Sequence, residues 1–420
     1  MKIRKIEANH FKSLRGFSLE MEGFTCLIGP NCAGKSTILQ FVSFLVQLVR
    51  GDLVGWLERR SWQKEELFYS GSLGARLVDS EQIEEIKRAA EEQIEEIKRI
   101  AGEQPKAFPP TLLPEQLISF GVEIENESKE CFCWRGKFDL PRLACTEETI
   151  QTPSATLRMR EGKLSIQSNV ESIHLETDVV FSFQGSVLSQ IPEERLPSSI
   201  RDLKDFLTSI QTIDLLDLES LRRHDEKSES SGAARRNLPQ LLEELGKDKR
   251  EQITQQLKQA FSHVSGLRVV VSHAEKKHFL LEEEYGEEKF ETEARQISDG
   301  MLRIIAILAE LQSDAKVLLF DEIENGISPE IMDFLMGVLQ SSPIQLITTT
   351  HSPLILNYLD DDIARASVVY VYKAGEGKTK VRLFFGIPSM AKKLDFMGPG
   401  EVFADTALSQ LSQELESSAR

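Results

Sequence analysis

Apolar positions follow several patterns along the chain, and each predicts a different kind of element. Phe24–Ile28 and Val317–Phe320 are short, near-continuous apolar runs, as expected of strands buried on both faces of a parallel sheet, and Ile344–Thr350 reads as another buried strand. An apolar-rich helix is predicted from Thr37 onward, and another follows the polar opening of "RQISDGMLRIIAILAEL" (Arg295–Leu311). Residues 115–185 alternate with period two in "LISFGVEIE", "ECFCWRGKFDL" and "VVFSFQG", which predicts an antiparallel sheet lobe. A helix over Pro239–Phe261, a hairpin of "LRVVVSH" against "HFLLEEEY", and a second hairpin over Val368–Phe384 complete the pattern. No apolar run reaches the ~18 residues of a membrane span. The longest, Phe41–Val49, is interrupted by Ser43 and Gln47.

Glu81–Gln104 carries an 11-residue repeat that sets Ile83, Ile86, Ile94, Ile97 and Ile100 along one helical stripe. That period predicts a straight or slightly right-handed seam: either a solvated amphipathic helix or a short arm that docks a partner, with Pro109, Pro110 and Pro114 closing the unit. "HDEKSESSGAARRN" (His224–Asn237) reads as a polar loop, Asp360–Asp362 as a loop, and Gly398-Pro399-Gly400 as a turn.

Charge changes this picture locally. The net charge of −17 opposes passive coating of nucleic acid. Residues 1–60 nevertheless hold nine Lys/Arg against five Asp/Glu, which allows a basic face or a solvated strand edge. The five cysteines show no disulfide or zinc spacing, and the N-terminus lacks the apolar centre of a signal peptide. Reduced thiols and a cytoplasmic location are the expectation.

Three stretches carry chemistry. "FTCLIGPNCAGKSTILQFV" places Gly29, Pro30, Asn31, Cys32, Ala33, Gly34, Lys35, Ser36 and Thr37 between a strand and a helix. This is a phosphate-binding loop in its required setting: its backbone wraps the β-phosphate of ATP, Lys35 reaches the β- and γ-phosphates, and Ser36 ligates Mg²⁺. "GEGKT" at Gly375–Thr379 is a decoy, because Tyr372 stands where the first glycine would be. Asp321 and Glu322 end a buried strand, where carboxylates meet the crevice of an α/β sheet. Asp321 is a candidate Mg²⁺ ligand, and Glu322 a candidate base for the attacking water. His351 ends the strand after that and can donate to a γ-phosphate. Ser298, Asp299 and Gly300 open a helix and can bind an anion there or simply cap it.

In order and spacing these motifs resemble those of an ABC-type ATPase. "IEANHFKSL", "ISDGMLR" and "DEIENGISP" resemble its RecF/SMC-like branch, and the compact ATPases allied to the overcoming-lysogenization-defect family are similar. The resemblance covers residues 1–50 and 290–385. It implies an α/β ATPase head, a mixed sheet with flanking helices, carrying an inserted antiparallel β lobe and a short helical arm. It also implies a homodimer or higher even oligomer closed by composite ATP sites. In those sites Ser298 and Gly300 of one chain contact the γ-phosphate held by the other, and Asp299, where transporters have Gly, points away. Gln63 is a candidate for the glutamine that couples nucleotide to the helical lobe.

The expected organisation is a first head segment (1–60), a helical arm (61–115), a β lobe with helical linker (116–290), a second head segment (291–385) and a tail (386–420). The metal-dependent TOPRIM nuclease that follows the ATPase in the lysogenization-defect family has no room here. The expected function is a nucleotide-driven switch read by a separate effector, such as a nuclease in prokaryotic anti-phage defence. The alternative is a RecF-like repair ATPase that clamps duplex DNA. A transporter subunit fits less well, given the large insert, "ENGISP" after Glu322 and the lack of a membrane segment.

Overall fold

The computed structural model describes residues 1–68, 116–213, 237–271 and 277–418. The 81–104 repeat lies outside them, as does His224–Asn237 apart from Asn237, whose side chain caps a helix by accepting from Gln240 N.

Two large sheets organise the chain. In the first, strands β1 (Lys2–Asn9), β2 (Phe17–Glu20), β4 (Leu117–Glu125), β5 (Cys131–Asp139), β6 (Ala144–Gln151), β7 (Ala155–Arg160), β8 (Lys163–Ser168) and β9 (His174–Asp178) run antiparallel in the order β2-β1-β4-β5-β6-β7-β8-β9. The inserted strands thus extend a sheet begun by the N-terminus. "VVFSFQG" departs from the expected alternation: the last strand ends at Asp178, leaving Val180 and Phe181 exposed.

The second sheet has the order β10-β14-β15-β3-β16-β17, from β3 (Phe24–Ile28), β10 (Ile210–Ile213), β14 (Val317–Phe320), β15 (Gln345–Thr349), β16 (Val368–Ala374) and β17 (Lys378–Leu383). All its pairs are parallel except β16–β17. Strands β14 and β15 are buried along their whole length because both faces are covered. Leu27, Val317, Leu319, Ile347 and Val369 point into one core; Ile28, Leu318, Phe320, Leu346 and Val368 point into the other.

Helix α1 (Lys35–Arg50) lies in the first core, between the two sheets, where twelve of its sixteen residues are buried. Phe44 meets Phe11 and Phe138 at 5.2 Å, and Phe41 meets Phe11 at 5.2 Å. Gln345 ties the sheets together at their edge: it accepts from Ile3 N (2.7 Å) and donates to the carbonyls of Ile3 (2.8 Å) and Glu22 (2.9 Å).

The second core packs helices α4 (Leu238–Glu244), α5 (Gly246–Ala260), α6 (Asp299–Leu311) and α7 (Pro329–Gln340) against the other face. They follow α2 (Leu53–Arg59) and α3 (Ser198–Thr208), which belong to the first core. The single helix expected over Pro239–Phe261 is two, broken where Gly246 adopts φ 76°. A third sheet, β11 (Val264–Val271), β12 (Lys277–Tyr285) and β13 (Glu288–Glu293), contains the expected hairpin plus one further strand. Asp360–Asp362 is the cap and first turn of a helix, Asp361–Ser367, rather than a loop. Gly398-Pro399-Gly400 likewise opens the helix Pro399–Ala404. Both sequences carry helix-cap residues that also suit turns. Gly400 N donates to Asn357 Oδ1 (2.8 Å), fastening the tail to the short helix Pro353–Leu356 that follows His351.

Glu148, on β6, is fully buried and accepts from Trp134 Nε1 (3.1 Å), Ser186 Oγ (2.6 Å) and Val187 N (2.7 Å). Burial pushes its carboxyl up to about 7, against the pull of these donors. A folded-state value above the unfolded one means that the native state holds the extra proton. The stabilisation is therefore present in full at low pH and lost as pH rises through about 7. By the linkage of about 1.36 kcal/mol per unit, the swing is at most roughly 3 kcal/mol. Urea unfolding of wild type at pH 5.5 and pH 8 is expected to show this loss. Glu148→Gln, which cannot ionise, is expected to flatten the difference between the two pH values. An equal slope in both proteins would remove Glu148 as its source.

Candidate functional site

The loop from Gly29 to Ser36 leaves β3 and enters α1 through three left-handed residues, Gly29 (φ 139°), Cys32 (φ 60°) and Gly34 (φ 111°). Gly34 is required twice over: its φ disfavours a side chain, and a Cβ there would collide with Thr379 Oγ1. The Thr379 hydroxyl donates to Ala33 O at 2.9 Å. The decoy "GEGKT" is therefore a hairpin turn, as expected, whose threonine braces the true loop from outside.

The loop opens on a cavity of about 350 Å³, lined by Asn31–Thr37 together with Ser13, Glu322, His351 and Lys373. Lys35 is 6% exposed and donates to the carbonyls of Gly29 (2.9 Å) and Pro30 (3.0 Å). Burial lowers its ammonium from the ordinary value, while Asp321, Glu322 and Glu324 oppose the shift. Lys373, across the cavity, is also lowered by burial and donates to Gly377 O (2.9 Å) and Thr379 Oγ1 (3.2 Å). Two cations thus face one small cavity, a charge arrangement suited to a polyanion.

The carboxylates converge from the ends of β14 and β15. Asp321 Oδ1 accepts from Ser36 Oγ (3.2 Å) and from Thr349 Oγ1 (2.6 Å). Glu322 N donates to the same Thr349 hydroxyl (2.8 Å), with Glu322 held at φ 51°. Its side chain is half-exposed: Oε1 stands 3.9 Å from His351 Nε2, and Oε2 accepts from Asn325 Nδ2 at 3.4 Å. Glu324 Oε1 accepts from His351 N at 2.8 Å. The Ser36–Asp321 oxygen separation of 3.2 Å is close to the ~3.0 Å expected between neighbouring ligands of an octahedral ion bound at 2.0–2.1 Å. Among the described residues no group of three or more His, Cys, Asp or Glu side chains forms a metal cage. A hard divalent cation here would rest on Ser36, Asp321, water and ligand oxygens.

The structure therefore brings Asn31–Thr37, Glu322 and His351 to one cavity and bonds Asp321 to Ser36 of its lining. Ser298 and Gly300 do not line it. Ser298 caps α6 by accepting from Met301 N (3.4 Å), and Gly300 packs beneath Gly326 O. Gln63 is exposed, ahead of the short turn Lys64–Leu67. Ser13, Lys373, Thr349 and Asn325 went unrecognised in the sequence. Only Thr349 had a local signal, the polar end of "QLITTTHS".

Two family descriptions match the chain: "AAA ATPase domain" over residues 1–101, and "AAA domain, putative AbiEii toxin, Type IV TA system" over residues 167–357. Structural maintenance of chromosomes protein 1 of Schizosaccharomyces pombe is 35% identical over 74 residues, which span 17% of this chain and 6% of that protein. An Smc head solved bound to the C-winged helix domain of ScpA is similar over 91% of this chain and 97% of its own, with a TM-score of 0.50 and 16% identity. An Smc head with an extended coiled coil, bound to the C-terminal domain of ScpA derived from Pyrococcus furiosus, covers 94% of this chain and 99% of its own, with a TM-score of 0.48 and 14% identity. The fold is that of an ABC-type ATPase head. No helix among the described residues is long and apolar enough to cross a membrane.

Proposed function

We propose that this chain, which carries an ATPase domain of the SMC and AAA class, binds Mg²⁺·ATP between two copies of itself and hydrolyses it. Closing and reopening of the pair would then switch a separate effector. The observation that carries the reading is the split of the machinery. Lys35, Ser36, Glu322 and His351 line one cavity and Asp321 is bonded to Ser36, while the helix start at Ser298 and Gly300 does not line it. A twofold pair brings the missing end from the partner and forms two equal sites.

Each residue then has a task. Backbone N–H groups at the start of α1 hold the β-phosphate. Lys35 leaves the Gly29 and Pro30 carbonyls for the β- and γ-phosphates. Ser36 and Asp321 would hold Mg²⁺, which when bound neutralises charge on the phosphate oxygens. Glu322 takes a proton from water, whose oxygen forms the new bond to the γ-phosphorus. The bond from that phosphorus to the bridging oxygen breaks, and ADP leaves with the electron pair. His351 donates to the γ-phosphate, and Ser298 from the partner donates to it from the other side.

The match to the toxin–antitoxin description supports a defence setting; the nuclease-like effector and the kinship to the lysogenization-defect ATPases rest on the sequence motifs alone. Partner binding by the similar Smc heads supports the idea that a separate protein reads the nucleotide state. The DNA-clamp reading has less support. Among the N-terminal cations, Arg4 pairs with Glu22 and Glu125, Lys5 with Glu7, Arg15 with Glu376 and Arg59 with Asp52. Four of the nine cations in residues 1–60 thus face carboxylates.

Lys35→Ala tests the site. A charge-assisted contact of about 1.5–3 kcal/mol lost from the phosphates corresponds to roughly 10- to 100-fold weaker ATP binding. Fluorescent-nucleotide titration measures it, and gel filtration with a non-hydrolysable analogue should show a dimer for wild type alone. Wild-type protein that neither binds nor hydrolyses ATP would overturn the proposal.

A further inference from the structure

Strand β5 carries a pair of residues that the nucleotide site does not use. Cys131 and Cys133 stand two positions apart on it, one residue too close for a Cys-x-x-Cys pair. On a strand, however, alternate residues share a face. Phe132, between them, is 4% exposed and Trp134, after them, is fully buried, so both point into the first core. The two thiols therefore sit side by side on the opposite face, Cys131 exposed and Cys133 half-buried, with their sulfurs 3.6 Å apart. Across the ladder Cys131 faces Glu125 and Cys133 faces Glu123. Arginines hold both carboxylates: Glu125 accepts from Arg4 Nη2 (3.1 Å) and Glu123 from Arg135 Nη2 (2.8 Å). Among the described residues no third His, Cys, Asp or Glu completes a metal-binding group with the two thiols. Cys26 and Cys145, by contrast, are buried, which pushes their thiols up and keeps them inert.

We propose that Cys131 and Cys133 are a redox-active pair, closed to an intrachain disulfide by a hydroperoxide and reopened by a thiol. Cys131 attacks, because it is the exposed member. Burial pushes the Cys133 thiol up to about 11, so Cys133 keeps its proton while Cys131 reacts. The Cys131 thiolate attacks one oxygen of hydrogen peroxide, the O–O bond breaks, and the released hydroxide takes up a proton to leave as water. Cys133 then gives up its proton and attacks the Cys131 sulfur. The S–O bond of the sulfenic acid breaks, and its oxygen leaves as a second water. Two thiols have lost two electrons and two protons, and one peroxide has become two waters. Strand geometry makes the change reversible. Two steps along a strand advance about 6.4–6.8 Å, the upper end of the roughly 4.4–6.8 Å that a disulfide spans between Cα atoms. Closure therefore buckles β5, and a strained, exposed bond is readily reduced.

The experiment follows the tryptic peptide Glu130–Arg135, which holds both of these cysteines and no other. Pre-reduced protein is treated with a few equivalents of hydrogen peroxide, blocked with N-ethylmaleimide, digested and weighed by mass spectrometry. Untreated protein is expected to give the peptide with a maleimide on each cysteine. Treated protein should give it with none, and lighter than the bare dithiol by two hydrogens. Dithiothreitol added before blocking should return both labels. Cys133→Ser leaves Cys131 without its partner and is expected to halt at a sulfenic acid that dimedone traps. Cys131→Ser is expected to keep the label on Cys133 at the same peroxide dose. Full labelling after treatment of wild type, a sulfinic or sulfonic acid in place of the disulfide, or a bond to a second chain would overturn the pair. So would a disulfide that dithiothreitol does not open. The wild-type measurement depends on no substitution, and none of these outcomes bears on the ATPase reading.

Discussion

Glu322→Gln is expected to slow ATP turnover by about 100- to 10,000-fold, the range for losing a general base, while leaving nucleotide affinity within a fewfold of wild type. The carboxylate is half-exposed at the mouth of the cavity and within 3.9 Å of His351 Nε2, so it is free to meet water. Its position does not depend on its charge. The backbone is fixed by the Thr349 hydroxyl, and glutamine can still accept from Asn325. Because binding survives and hydrolysis does not, the variant should accumulate as an ATP-bound dimer. Phosphate release and gel filtration in Mg²⁺·ATP check both halves of the expectation. Wild-type turnover by Glu322→Gln would remove Glu322 from the chemistry. A slow variant that stays monomeric in ATP would separate hydrolysis from closure.

Ser298→Arg is expected to fold, to bind ATP in its own phosphate loop and to lose turnover by at least about 100-fold, the cost of one lost oxyanion-type donor. Ser298 lies outside its own chain's cavity, so an arginine there leaves that cavity intact. The same arginine fills the narrow gap that a partner's γ-phosphate would enter. Subunit mixing sharpens the result. In a mixed dimer of Ser298→Arg and Lys35→Ala chains, one site carries both lesions and the other carries neither. Sites that act independently would return up to about half of a dimer's activity. Strictly paired sites would return none. A monomeric Ser298→Arg protein with normal hydrolysis would show that the start of α6 does not work in trans.

Much of this was legible in the sequence because it is local. Gly29 through Ser36 are consecutive, and Val317–Phe320 reads as a buried strand because both its faces are covered. Asp321, Glu322 and His351 follow from where such strands end. What escaped was assembled by topology. Lys373 reaches the cavity only because β16 pairs with β3, and Ser13 only because the β1–β2 connection folds over the loop, where its hydroxyl meets Thr379. Strands β10 and β13 escaped for other reasons: the first is four residues long and the second is almost wholly exposed. Asp360–Asp362 and Gly398–Gly400 were misread because helix caps and turns share residues.

The order of strands in the central sheet also governs when the site can exist at all during synthesis. Strand β3, which launches the phosphate loop, pairs with β15 and β16, Phe24 with Leu346 and Cys26 with Val368. Until the ribosome has released those later strands, β3 has no neighbour in its own sheet. Pairing between such distant segments is slow and leaves apolar strand edges open while it waits. A nascent chain therefore carries the loop well before the strands that frame it, and the proposed nucleotide site can form only once Val368–Ala374 has been made and paired.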